Sequence, residues 1–197
     1  MYNAAMSINH LLQRGLWLEY ATLGWNVIGS AIVLMAAITT GSAALAGFGL
    51  DSLIEIFASL VVVWQLRGVE NGREHRAMRL IGAAFIALAV YVLAQSAWTL
   101  GTRAHPATSV LGLAWLVLTC VAMLLLAWGK LVTGRQLGNS VLMTEARVTL
   151  IDAALAAAVL TGIGLNALLG WWWADPLAGL VIVYYGLREG RAALAHR

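Results

Sequence analysis

Charge is scarce in this chain. Only 11% of its 197 residues are Asp, Glu, Lys or Arg, against about 25% in an ordinary soluble domain. A water-soluble globule would therefore have too little polar surface to cover itself. With two prolines and one cysteine, a proline-rich disordered chain, a collagen-like fibre and a disulfide-stapled secreted scaffold are excluded as well. Cys120 has no second cysteine in the chain to pair with, so it says nothing about redox compartment.

What is abundant is apolar: 61% of residues are hydrophobic and the mean hydropathy is +0.84. These values describe an all-α integral membrane protein. A span needs about 20 apolar residues to cross the hydrocarbon core, and six such runs can be marked, at 17–38, 42–66, 80–100, 109–128, 140–163 and 171–188. Helices are required because backbone polar groups in lipid must be satisfied within the segment, and no alternating strand pattern is present. Glu19 and Asn26 interrupt the first run, which favours a retained helix over a cleaved signal peptide.

The net charge of +3 and pI near 9.4 taken alone suggest a nucleic-acid partner, and the placement of the charges removes that reading. Arg14, Arg67, Arg73, Arg76, Arg79, Lys130, Arg135, Arg147, Arg188, Arg191 and Arg197 all fall on one side of the six spans, and only Arg103 falls on the other. Basic residues accumulate on the cytoplasmic side, so both termini are expected to be cytoplasmic. The expected location is that of a multi-pass membrane protein, in the plasma (inner) membrane if the source is bacterial. The partners are then the lipid bilayer and small ions, with no nucleic acid. Residues 1–197 are expected to form a single six-helix transmembrane domain, because the longest loop, RGVENGREHRAMR, and the tail after the last span are too short to fold alone.

The acidic residues are placed differently. All three aspartates, Asp51, Asp152 and Asp175, lie in or at the edge of apolar segments, where an Asp at mid-helix costs roughly 2.5–3.5 kcal/mol and marks a functional candidate. On the second span Asp51, Glu55 and Ser59 follow at i, i+4 and i+8 and share a face; on the fifth, Glu145, Thr149 and Asp152 do the same at i, i+4 and i+7. Counted at about 1.5 Å per residue, Asp51 and Asp152 reach similar depths near the midplane, so antiparallel packing of these helices would bring Asp51, Glu55 and Asp152 together. Glu19, Thr22, Asn26 and Ser30 add a third polar stripe on the first span, while spans three, four and six are expected to hold no ionisable interior side chain apart from Cys120. Carboxylates gathered in a dry site repel one another and need bound cations, bound protons or both. Exchange between those two states is cation/proton antiport.

Other residues have plainer explanations. Asp175 in ADPLAG reads as the N-cap of the sixth helix with Pro176 following. Trp171, Trp172 and Trp173 read as an interfacial anchor. His10, His75, His105 and His196 fall in loops or termini, and Gly41, Gly47, Gly49, Gly162 and Gly164 are expected to permit close helix packing.

The segments GSAALAGFGLDSLIEIFAS, EARVTLIDA and WWWADPLAGLVI resemble the transmembrane part of the cation diffusion facilitator (cation efflux) family, a likeness that extends over all six spans. The resemblance implies a proton-coupled exporter of divalent transition metals, usually a homodimer, working by alternating access around a midplane site with Asp51, Glu55 and Asp152 as ligands. Three departures stand out. Val148 occupies the position of the family's helix-five histidine, leaving three carboxylates with Asn26 and Thr149 as possible additional ligands and Glu145 as a carboxylate on the access path. Such an oxygen-rich set suits manganese, magnesium or ferrous iron better than zinc. The family's C-terminal cytoplasmic metal-binding domain is not expected here, and the segment GKLVTGRQLGN, expected as the loop between spans four and five, has no histidine tract. The substrate expected is a divalent metal cation, manganese, iron, zinc or similar, with no organic cofactor. A membrane module that binds a metal or a partner without transporting is the alternative. An enzyme is not expected, because no embedded histidine stands beside a Ser or Cys nucleophile.

Overall fold

The computed structural model describes residues 2–66 and 74–195, so the basic residues Arg67, Arg73 and Arg197 lie outside the described part. Within it the chain is all helical: α1 (Tyr2–Thr40), α2 (Ala43–Leu66), α3 (Glu74–Thr102), α4 (Val110–Leu137), α5 (Ser140–Leu169) and α6 (Ala174–Ala195), with no strand among the described residues. Four of the described helices contain stretches long and apolar enough to cross a membrane: Asn9–Thr40, Gly82–Thr102, Val110–Leu137 and Glu145–Leu169.

The helices outrun the apolar segments that announced them. α1 begins at Tyr2 rather than near 17, and α4 continues through Lys130 to Leu137, so most of the segment expected as a loop is helix. Hydropathy reports contact with lipid, whereas a helix ends where its backbone is capped. α4 stops at Gly138, whose left-handed φ of 62° turns its N–H back onto Arg135 O and Gly134 O. Asn139 then starts α5 by accepting from Leu142 N. Gly170 ends α5 in the same conformation, Gly41 separates α1 from α2 at φ 69°, and Ser109 caps α4 by accepting from Gly112 N.

Three connections gather at one end of the bundle. Ala107 N donates to Thr40 O at 3.0 Å, Asn166 Nδ2 donates to Pro106 O at 2.9 Å, and the His105 ring lies 5.1 Å from that of Trp172. This is the tryptophan end, where Trp171 and Trp173 stack 5.2 Å apart in the α5–α6 connection. The α4–α5 turn, the start of α1 and the end of α6 lie at the other, arginine-rich end. α2 packs on α1, α3, α5 and α6, with α4 closing the bundle against α1 and α5.

Asp175 does not cap its own helix. It lies inside the first turn of α6, buried, and accepts from the Ser42 hydroxyl, from Ala43 N at 3.1 Å and from Ala44 N at 3.4 Å. One helix thereby satisfies the orphan donors at the start of another. Of the glycines expected to admit close packing, Gly162 is the tightest: a Cβ there would lie 2.5 Å from Ala178 Cβ and 2.7 Å from Ala174 O. Gly47 and Gly49 are likewise crowded, against Val92 and Leu34, but Gly41 serves the turn and Gly164 faces open space.

The bundle is apolar on the outside. Ile28, Met35 and Ile38 of α1, Val90 of α3, Leu124, Leu125 and Trp128 of α4 and Tyr184 of α6 are exposed, while Glu19, Asn26, Asp51, Glu55, Glu145 and Asp152 are buried. Lipid, not water, is the solvent that such a surface fits.

Candidate functional site

The polar stripes face inward as their spacing requires. On α1, Glu19, Thr22, Asn26 and Ser30 are all buried; so are Asp51, Glu55 and Ser59 on α2 and Glu145, Thr149 and Asp152 on α5. Asp51 stands about 12 Å along α2 from Ala43, past a plug of Leu45, Phe48, Val92, Val159 and Ile182 that fills the bundle toward the tryptophan end.

Beyond that plug is a cleft lined by Asp51, Glu55, Val148 and Asp152 together with Phe85, Ile151, Leu155, Tyr185, Gly186 and Glu189. The structure therefore gathers the two α2 carboxylates and the α5 aspartate around one space. Asn26 reaches the same place from α1, donating from Nδ2 to Glu55 Oε2 at 2.9 Å. Among the described residues, Glu55 Oε1 and both Asp152 oxygens have no hydrogen-bond partner, so three acceptors of the cleft lack donors. Such a wall attracts cations. As they stand, no three His, Cys, Asp or Glu side chains among the described residues are close enough to hold one ion jointly, so coordination by all three carboxylates requires the side chains or helices to draw in.

Thr149 and Glu145 belong to a different cluster. Lys130 Nζ donates to Thr149 Oγ1 and to Glu19 Oε2, each at 3.1 Å, and pairs with Glu145 Oε1 at 3.7 Å. Lys130 and Glu19 are fully buried and Glu145 is nearly so. α4 thus does contribute an ionisable group to the interior, Lys130, contrary to the expectation from the sequence, and α6 adds the partly exposed Glu189 to the lining of the cleft. Positive-inside counting assigned Lys130 to a flank because it follows the apolar run VAMLLLAWG. The missed signal was that apolar residues resume after it, in LVTG, so the lysine sits within a helix rather than beyond one. Glu189 lies one turn after Tyr185 and about one more beyond Ile182 on α6, a periodicity that marks the inward face of that helix.

A helical bundle with an apolar exterior describes a multi-pass membrane protein, and its interior cleft is acidic. Comparison with known proteins is specific: the cation efflux transmembrane domain matches residues 20–195, and the chain belongs to that family, the cation diffusion facilitators. Among curated proteins it is similar to Transmembrane protein 163 of Xenopus laevis, at 21% identity over 187 residues, covering 89% of this chain and 66% of that protein. The family is one of cation transporters, whose substrates in general are divalent ions.

Proposed function

We propose that the protein exports a divalent metal cation across the membrane in exchange for protons, by alternating access around Asp51, Glu55 and Asp152. In this reading six helices span the bilayer in a single transmembrane domain, both termini and the arginine-rich end face the cytoplasm, the membrane is the plasma membrane and the working unit is a homodimer. The observation that carries it is the cleft itself: buried carboxylates of α2 and α5 around one space, three of their oxygens unpartnered among the described residues.

The cleft is lined by the parts of α3, α5 and α6 nearer the arginine-rich end, and Glu189, with a side chain 32% exposed, sits at its mouth. The apolar plug closes the opposite side. In this reading the conformation is the one open to the cytoplasm, and transport requires the plug to part while the mouth closes. Hard carboxylate and amide oxygens with Val148 in place of an imidazole favour manganese or ferrous iron over zinc.

Flux in proteoliposomes carrying a metal-sensitive dye tests the reading. Manganese, iron or zinc should cross under an imposed proton gradient, and transport should collapse in Asp51→Asn and Asp152→Asn. Absence of flux for all three ions overturns it. Saturable metal binding without flux would favour the alternative of a non-transporting metal-binding module, for which the helix-five valine speaks.

A further inference from the structure

The Lys130 cluster lies outside the cleft, and its geometry is that of an occupied cation site. One positive centre, Lys130 Nζ, is surrounded by three oxygens from two other helices: Glu19 Oε2 of α1 and Thr149 Oγ1 of α5 at 3.1 Å, and Glu145 Oε1 of α5 at 3.7 Å. The ammonium is fully buried. Its charge falls short of its surroundings, since two carboxylates face one lysine. Correspondingly, Glu19 Oε1 is buried without a hydrogen-bond partner among the described residues, and Glu145 Oε1 makes no hydrogen bond there beyond its 3.7 Å ion pair with Lys130. A buried carboxylate with an unused oxygen requires a cation or a proton. A divalent ion in place of the ammonium would balance both carboxylates, and the donor set, two carboxylates and a hydroxyl, is the hard-oxygen type that manganese and magnesium accept.

We infer that Glu19, Glu145 and Thr149 form a second cation-binding station, separate from the cleft, in which the ammonium of Lys130 is the resident, tethered cation. The covalent tether keeps the station filled whatever the metal concentration. A free metal ion therefore does not lodge there. Neither the carboxylate cleft nor the transport reading is needed for this assignment.

Manganese(II) bound to the detergent-solubilised full chain, counted by equilibrium dialysis and electron paramagnetic resonance, tests it. Lys130→Ala should bind one more Mn2+ per chain than the unaltered protein, and Lys130→Arg should bind no more. The extra ion should vanish in Lys130→Ala/Glu19→Gln and persist in Lys130→Ala/Asp152→Asn, which separates this station from the cleft whether or not the cleft binds metal. Because removing the lysine leaves two buried carboxylates unpaired, Lys130→Ala should melt at a lower temperature without metal and recover with millimolar Mn2+. A folded Lys130→Ala with no additional ion, an additional ion indifferent to Glu19→Gln, or a Lys130→Ala that stays unfolded with and without Mn2+ each overturns the inference.

Discussion

Asn26 of α1 donates to Glu55 Oε2 of α2 across 2.9 Å in a fully buried contact. It is the single side-chain donor that any of the three cleft carboxylates has among the described residues. The amide therefore fixes which oxygen of Glu55 remains free for a cation. Replacing it with Leu deprives a buried carboxylate of its partner, a loss of about 1–3 kcal/mol. Asn26→Leu should melt several degrees lower in detergent and need a higher metal concentration for half-maximal flux. An unchanged melting temperature would show that the contact does not persist in the membrane protein.

Asp152 makes the opposite prediction. Both its oxygens are buried and neither has a hydrogen-bond partner among the described residues, so the ionised side chain contributes nothing to holding the bundle together and its desolvation opposes folding. Asp152→Asn keeps the shape and removes the charge. Stability should stay level or rise while flux drops to background, the separation expected where a residue serves function at the expense of stability. Thermal melting and proteoliposome flux measured on the same preparation check it; a destabilised variant that still transports would make Asp152 a packing residue.

Val148 lines the same cleft, one helical turn before Asp152. A histidine there would add a borderline-soft nitrogen to an oxygen set, the change that moves preference toward zinc. Val148→His should raise the ratio of zinc to manganese flux on the order of tenfold, equivalent to about 1.4 kcal/mol of differential binding. A ratio that does not move would place Val148 off the coordination path.

The sequence made the polar faces readable because burial in a membrane protein selects against charge everywhere except where a charge is used. The i, i+4 spacing of Asp51 and Glu55 and the register of Asp152 sufficed to predict that these side chains share an interior, and they line one cleft. Lys130 was not legible by the same rule. A lysine near a helix end has an inexpensive alternative, snorkelling to the interface, and only the three-dimensional proximity of Glu19 and Glu145 shows that it is not taken. Asp175 was misassigned for a related reason: Asp followed by Pro at a helix start satisfies a local capping pattern, yet the donors it serves are more than a hundred residues away in the chain. Local spacing reports which face a side chain occupies and is silent on which helix it meets.

That distinction gives Asp175 its own test, since it is a buried aspartate with a structural role. It accepts from the Ser42 hydroxyl and from Ala43 and Ala44 N–H groups at the start of α2, while Ser42 Oγ accepts from Leu45 N at 3.0 Å. Removing the carboxylate leaves the Ala43 and Ala44 N–H groups without their acceptor, for which capping losses run about 0.5–2 kcal/mol, and it loosens the α2–α6 contact that carries Asp51 and Glu189 to the cleft. Asp175→Ala should therefore lower the melting temperature, and its residual transport should have an unaltered order of metal preference. Asp175→Asn retains an acceptor for the Ala43 and Ala44 N–H groups and should recover most of the loss. If instead Asp175→Ala melts normally and changes which ion is carried, Asp175 handles the substrate and the capping role assigned to it is wrong.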